Sequence, residues 1–330
     1  MSTLEGMMLL QKKRKRLLIC GATGFIGRNA VEYFSQKDQF DVIAVYNKKS
    51  PQKIKNVSWE KADLLNPARV KNLLSNVDIV IQAAAITSGI NQVFKSPEIH
   101  VTDNAIMNSI IFREAFANNV NHLIFFSCTT MLQSSDAPLE EIDFDANKQM
   151  YPAYFGSGWT KVYLEKMCEF FSSLGNTKFT AIRHSNVYGP WDKFDPSHSH
   201  VFGATIGKIL SGNNPLEIWG SGKEKRDFIY VSDLIELLPL ILDHQHSKFE
   251  IFNAGGKSYI SINELVEKIC EVTGRAPTIQ HNLEKPTVDF SVCLNSNKAK
   301  NGLGWEQKVD IESGIKKTMD FWLENMQNLS

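Results

Sequence analysis

The sequence predicts an α/β protein in which a doubly wound parallel sheet carries a smaller, discontinuous C-terminal domain. Three observations predict it. Short apolar runs alternate with amphipathic helical stretches over the first 183 residues, a glycine-rich turn joins the first run to the first helix, and the alternation lapses after Tyr188-Gly189-Pro190.

The apolar runs place strands at 17–20, 42–46, 79–83, 123–126 and 179–183, and the amphipathic stretches place helices at 26–35, 67–74, 99–118 and 159–174. The runs are apolar throughout, as strands covered by helices on both faces require. Past residue 190 a loop containing Trp191, Phe194 and Pro196 leads into a helix at 201–210. The chain then returns to the sheet over 228–242 and 249–253, and leaves it for helices at 262–272 and 311–324. The expected division is a sheet domain of residues 16–188 plus 228–254, a second domain of 189–227 plus 255–330, and a disordered tail over 1–15. No repeat or low-complexity tract interrupts this pattern.

Lys plus Arg number 36 and Asp plus Glu number 36, so no global field draws the protein to nucleic acid or to an anionic membrane. An anionic ligand must be held locally. No apolar run approaches the roughly 18 residues of a membrane span. The basic stretch from Gln11 to Arg16 runs into a strand without a cleavage site, so a cytoplasmic protein is expected. The cysteines Cys20, Cys128, Cys168, Cys270 and Cys293 form no CxxC pair. They read as reduced thiols, mostly packed in the core, with neither a disulfide framework nor a metal site.

Gly21-Ala22-Thr23-Gly24-Phe25-Ile26-Gly27 follows the first strand and opens the first helix. Gly21 permits the tight turn, Gly24 lets the backbone approach a pyrophosphate, and Gly27 lets helix and strand pack closely. Strand before and helix after make this a Rossmann dinucleotide site for NADP or NAD. The second strand ends Tyr46-Asn47-Lys48-Lys49-Ser50, without the acid that bonds an adenosine ribose, which favours NADP. The alternative is that Lys48 and Lys49 are solvated surface residues. Asp63 is placed to meet the adenine amine, and a turn-forming or capping Asp is the equal alternative.

The glycine turn, Gln82-Ala83-Ala84-Ala85, and Asn186-Val187-Tyr188-Gly189-Pro190 together resemble the extended short-chain dehydrogenase/reductases that act on nucleotide sugars, from about Arg16 to Leu323. Within that group the chain is most similar to the GDP-fucose synthases, which are GDP-4-keto-6-deoxymannose 3,5-epimerase/4-reductases. Two stretches carry this likeness: Ala83-Ala84-Ala85 continuing to Asn91, and Tyr188-Gly189-Pro190-Trp191-Asp192-Lys193-Phe194-Asp195-Pro196-Ser197-His198-Ser199-His200-Val201. The second is far more specific than a glycine turn.

The resemblance implies cofactor contacts at Gly21, Thr23, Gly24, Phe25, Ile26, Gly27, Asn47, Asp63, Leu64, Ala83, Ala84 and Ala85. It implies that Lys161 is the lysine that binds the nicotinamide ribose and lowers the pKa of a tyrosine four residues earlier. That position is Ser157, and an alkyl hydroxyl does not exchange protons near neutral pH as a phenol does. Tyr154, one turn further back, is a candidate to swing in. The family's Ser or Thr aligns with Cys128, read as a buried packing thiol, beside the hydroxyls of Thr129 and Thr130. The epimerising His of the GDP-fucose synthases matches His200, whereas their Cys matches Thr130, which places a double epimerisation in doubt but not a single one. Lys208, Trp219 and Arg226, with Asn186 and Val201, fall where such enzymes hold the nucleotide diphosphate. Cation, flat apolar face and guanidinium are the groups that phosphate and base require.

The sequence thus points to an NAD(P)-dependent oxidoreductase/epimerase acting at C4 of a nucleotide-diphosphate sugar, a GDP-sugar by resemblance, and to a homodimer through a four-helix interface built on 99–118 and 159–174. Alternatives within the group are a 4-epimerase, a 4-dehydrogenase and a 4,6-dehydratase. The last is weakened because no acidic pair follows in Thr129-Thr130-Met131. The alternative of another class is a non-catalytic NAD(P)-binding sensor or scaffold, which the missing tyrosine favours.

Overall fold

The computed structural model describes residues 13–86, 97–195, 199–256 and 258–326. Most of the expected tail, Asn91, and the Pro196-Ser197-His198 run lie outside the described residues. In chain order the elements are β1 (Lys15–Cys20), α1 (Phe25–Phe34), β2 (Phe40–Tyr46), β3 (Val57–Lys61), α2 (Pro67–Leu74), β4 (Ile79–Gln82), α3 (Thr102–Ala117), β5 (His122–Phe126), α4 (Phe155–Leu174), β6 (Lys178–His184) and β7 (Asn186–Tyr188). There follow α5 (Val201–Leu210), β8 (Leu216–Trp219), β9 (Lys225–Tyr230), α6 (Val231–His244), β10 (Phe249–Ala254), β11 (Tyr259–Ser261), α7 (Ile262–Thr273), β12 (Ile279–Asn282), α8 (Asn297–Leu303) and α9 (Ile311–Met326).

A seven-stranded sheet runs β10-β6-β5-β4-β1-β2-β3 with every pairing parallel. The order reverses at β1: the chain builds β2 and β3 on one side, then crosses to β4 on the other. That reversal opens a crevice at the carboxyl ends of β1 and β4, where ligands of such sheets bind. One face of the sheet is sealed by α1 and α6 through Val31, Phe34, Leu234 and Ile241, the other by α3 and α4 through Ile111, Phe112, Leu164 and Cys168. A separate core around Tyr188, Phe202, Ile206, Phe228 and Ile269 joins β7, α5, β8, β9, α7 and α9, whereas α6, β10 and α8 pack with the sheet.

Local chemistry sets the helix ends. Asn66 accepts the Arg69 amide at 3.2 Å ahead of Pro67 at the start of α2. A reciprocal Ser261–Glu264 capping box starts α7, and Gly274, at φ +65°, ends it.

Several expectations change. β1 begins at Lys15, inside the stretch expected to be a tail, and Arg14 pairs with Asp41 at 3.1 Å. β3 was not anticipated: it is the sheet's outer edge, and Glu60 and Lys61, both exposed, break the apolar pattern. Residues 228–242 are not a sheet strand. They comprise the end of β9, which joins a small β11-β9-β7 sheet, and all but the last two residues of α6. α4 starts at Phe155 rather than 159, while α3 starts at Thr102 after a 3-10 turn. The β8–β12 pair and α8 are also additional.

One buried polar cluster ties α4 to the sheet. Glu165 on α4 forms a two-pronged ion pair with Arg183 on β6, at 3.1 Å from Nε and 2.8 Å from Nη2, and accepts the Ser127 hydroxyl at 2.6 Å. Arg183 Nη1 also donates to the Glu141 carbonyl at 2.9 Å. Both charged side chains are buried. Breaking such a pair leaves an uncompensated charge inside the protein, so Glu165→Gln should lower stability by about 3 kcal/mol in urea unfolding. Glu169→Gln, in the exposed Lys166 pair, should change it by less than about 1 kcal/mol. Equal small effects would show that the buried cluster carries no such strain.

Candidate active site

The turn after β1 is fixed by close contacts. Gly21 adopts φ +71°, and a Cβ there would stand 2.7 Å from the Ala84 backbone. A Cβ on Gly27 would come within 2.1 Å of the Gly21 carbonyl oxygen. Gly24 differs: its φ of −85° and ψ of 173° suit any residue, and its Cβ would meet the Gly21 oxygen at 3.2 Å, a contact a small shift relieves. The fold therefore demands glycine at 21 and 27, whereas at 24 the surface in front of an uncapped helix N-terminus is kept bare. α1 carries neither a side-chain cap nor an acid in its first turn. A bare turn at the positive end of a helix fits a pyrophosphate. Thr23, Phe25 and Ile26 line this turn.

Around it, Ala83, Ala84 and Ala85 follow β4, and the buried Gln82 holds that loop through the Ala84 carbonyl at 3.1 Å while reaching Asn108 of α3 at 2.9 Å. Asn47, Lys48 and Lys49 are exposed past β2. Asp63 is exposed and its Oδ1 accepts the Leu65 amide at 3.0 Å, the turn-forming arrangement, while Leu64 is buried.

On the rim past β5, Lys161 Nζ donates to the Phe126 carbonyl at 2.8 Å, and its charge lies 4.6 Å from the centre of the Phe125 ring. Burial lowers its pKa, while Cys128, Glu165 and Cys168 act to raise it. Ser157 lies one turn earlier on α4, but its hydroxyl is spent on the Tyr154 carbonyl at 3.2 Å. Cys128 is not a buried packing thiol: it is half-buried on the rim, with Sγ 3.1 Å from Thr130 Oγ1, and Thr129 stands beside it. Tyr154 packs edge-on to Phe290 at 5.3 Å and against Tyr151 at 5.7 Å. Burial raises its pKa, Arg226 opposes that, and Cys128 and Tyr151 add to it. Tyr154 thus sits between the Cys128 rim and Arg226.

His200 is the residue ahead of α5, without a side-chain cap bond, and is exposed, with Val201 behind it against the second core. Crowding by protein atoms, then Lys193 and His100, lower its pKa. Arg226 donates through Nη1 to the Lys225 carbonyl at 2.7 Å and the Phe290 carbonyl at 3.0 Å, and through Nη2 to the Val288 carbonyl at 2.8 Å. Among the described residues the Nε edge and one Nη2 hydrogen are left, a geometry that suits a phosphate. Lys208 donates to the Glu217 carbonyl at 3.1 Å, and Trp219 Nε1 to the Glu217 carboxylate at 3.1 Å. Asn186 turns inward to the Asp227 carbonyl at 2.9 Å. Lys208 and Trp219 share one patch through Glu217, whereas Arg226 belongs with Tyr154 and Phe290.

Sequence reasoning missed Ser127, Glu165, Arg183 and His184. Two signals were available: a carboxylate one turn after Lys161 on the same helical face, and an arginine ending an otherwise apolar strand.

Residues 17–255 match the family described as NAD dependent epimerase/dehydratase. The chain is 28% identical over 322 residues to the GDP-L-colitose synthase of Yersinia pseudotuberculosis, covering 95% of this chain and 99% of that one. It is 25% identical over 327 residues to the GDP-L-fucose synthase of Escherichia coli K12, covering 94% and 98%. The solved UDP-glucose 4-epimerase of Thermotoga maritima superposes with a TM-score of 0.84 at 24% identity, over 94% of this chain and 99% of that one.

The glycine geometry separates folding from binding. Gly24→Val should fold with near wild-type stability yet lose NAD(P)H binding in calorimetric titration, whereas Gly27→Ala should lose about 3 kcal/mol of stability, the upper end of an overpacking cost, because its Cβ would meet backbone. Unchanged cofactor affinity in a folded Gly24→Val chain would contradict the assignment of this turn.

Proposed function

Because this chain belongs to the NAD dependent epimerase/dehydratase family, we propose that it is a cytoplasmic NAD(P)-dependent oxidoreductase/epimerase working at C4, with proton exchange at an adjacent carbon, of a nucleotide-diphosphate sugar. The names of its curated relatives favour a GDP-sugar. The observation that carries this reading is Lys161, an ammonium held by the Phe126 carbonyl on the same carboxyl edge of the sheet as the bare glycine turn.

When bound, the nicotinamide group supplies or accepts the hydride exchanged with the sugar carbon. The chain's own residues do the rest. The glycine turn and the α1 N-terminus hold the pyrophosphate, and the cations of Lys48 and Lys49 past β2 favour NADP over NAD. Lys161 holds a ribose hydroxyl, and Arg226, the cation that acts to lower the pKa of Tyr154, favours the ionised form of a proton-exchanging hydroxyl there. That hydroxyl is assigned to Tyr154, which stands two turns before Lys161 and reaches the field of Cys128, because Ser157 is turned onto a backbone carbonyl. Thr129 and Thr130 line the rim beside it. His200, exposed ahead of α5, is the group for proton exchange at the neighbouring carbon. Arg226 takes a phosphate on its remaining edge, and Lys208 and Trp219 hold the diphosphate and base.

A non-catalytic NAD(P)-binding sensor is the second reading, favoured by Ser157 standing where a phenol is absent. Purified chain incubated with GDP-, UDP-, dTDP- and CDP-sugars, keto and reduced, should change the absorbance of NADPH or NADH with at least one. Lys161→Met should abolish that change, and Tyr154→Phe should slow it about a hundredfold, the scale of a lost general acid or base. Cofactor binding without turnover on any sugar would establish the sensor instead.

We further assign a homodimer through α3 and α4. Phe155, Tyr163, Phe170 and Leu174 of α4 lie on one helical face and are 51–61% exposed, beside Ile106 of α3 at 45%. Light scattering should give twice the chain mass, and Phe170→Glu should halve it. A monomeric wild type at micromolar concentration would contradict this assignment.

A further inference from the structure

The wall of the rim opposite Lys161 is formed by the ends of β5 and β6, which run side by side to the carboxyl edge. There the Ser127 amide donates to the Ile182 carbonyl at 2.8 Å. Side chains alternate along a strand, so Arg183 points to α4 and Glu165, while His184 points to the other face with Ile182. Its imidazole lies edge-on to Phe126 at 6.2 Å between ring centres, and the carbonyl of that same Phe126 holds Lys161. An ammonium therefore stands on one side of the rim and an imidazole on the other.

The state of that imidazole follows from its partner. Nδ1 lies 2.8 Å from the Ser185 carbonyl oxygen, which only accepts, so Nδ1 carries the hydrogen. Burial, with Lys161 and His200 acting in the same direction and the Ser185 carbonyl acting against them, lowers the pKa to about 4. The ring is neutral at pH 7, and Nε2 is left as a lone-pair acceptor without a partner among the described residues.

The glycine turn fixes the pyrophosphate at the α1 N-terminus next to β1. The adenosine half then extends over β2 and β3, and the nicotinamide half over β4, β5 and β6. A neutral acceptor repels phosphate oxygens, which are acceptors too, and suits an amide N–H. We infer that His184 is a cofactor-positioning residue, its Nε2 accepting a hydrogen bond from the carboxamide N–H of a nicotinamide ring seated between it and Lys161. This rests on the reading of the rim as a dinucleotide site. It adds a point of control that neither Lys161 nor the glycine turn supplies: holding the carboxamide on one side fixes the rotation of the ring about its glycosidic bond, and with it which face of the ring meets the sugar.

Calorimetric titration of the whole chain with NADPH or NADH, and with ADP-ribose or its 2′-phosphate, which lack the nicotinamide, tests it. His184→Phe keeps a flat ring and deletes the acceptor. It should weaken the dinucleotide about fivefold, the scale of one hydrogen bond, while leaving the fragment within about twofold. His184→Gln, whose side-chain oxygen also accepts, should recover most of the loss. Equal losses for dinucleotide and fragment, or none for either, would overturn the assignment of His184 while leaving the dinucleotide site intact. A wild-type chain that binds neither would overturn the dinucleotide reading itself.

Discussion

The buried ion pair between Glu165 and Arg183 is the constraint on which the candidate site rests. Ser127, which donates to Glu165, is the residue before Cys128; Glu165 lies one turn after Lys161; and Arg183 precedes His184. Each member of the pair's network is thus a neighbour of a group on the rim. Two charges taken out of water do not by themselves favour folding, since desolvation offsets much of their attraction. What the pair does enforce is register. Two parallel N–H to oxygen contacts admit one placement of α4 along β6, and the Ser127 hydroxyl takes up one of the carboxylate's remaining lone pairs. The Arg183 bond to the Glu141 carbonyl, together with the Glu141 carboxylate accepting the Asn253 amide at 2.7 Å, carries the same register to β10 at the sheet edge.

A second anchor joins the two cores. Asn29 of α1 donates to the Pro190 carbonyl at 2.9 Å, and the next residue, Trp191, sits at φ +68° with Arg28 4.6 Å from the centre of its ring and Phe321 at 5.0 Å. A bulky residue at positive φ persists only when its surroundings hold it. Here a cation, an aromatic ring and the preceding carbonyl all do so. The segment leading to His200 therefore leaves the sheet from a fixed point on the same helix whose N-terminus faces the cofactor crevice, which couples the placement of the two halves of the site.

How far the sequence could be read follows from range. The glycine turn, α1, α2, α5 and α7 depend on neighbours within a few residues, and periodicity, caps and turn residues express that dependence directly, while β1 is legible as an unbroken apolar run. β3 escaped because an edge strand with one inward face shows Val57 and Trp59 separated by polar residues, not an apolar run. The segment 228–242 misled because the apolar end of β9 continues into the apolar first turns of α6 without a break. The polar network was out of reach for a different reason: Glu165 and Arg183 are 18 residues apart, and Glu141 and Arg183 are 42 apart, so no period relates them. Cys128 departs from the usual burial of thiols because the chain leaves β5 just before it and exposes one side.

The central claim is that this rim holds a nicotinamide ring against the C4 carbon of a nucleotide-linked sugar. Reduced dinucleotide carrying deuterium at nicotinamide C4, prepared separately on each face, can be incubated with a GDP-4-keto-6-deoxy sugar and the product read by proton and deuterium NMR. The account predicts deuterium at C4 of the sugar from one face of the cofactor only. Retention of all deuterium in the cofactor, by a folded chain shown to bind both partners, would contradict it.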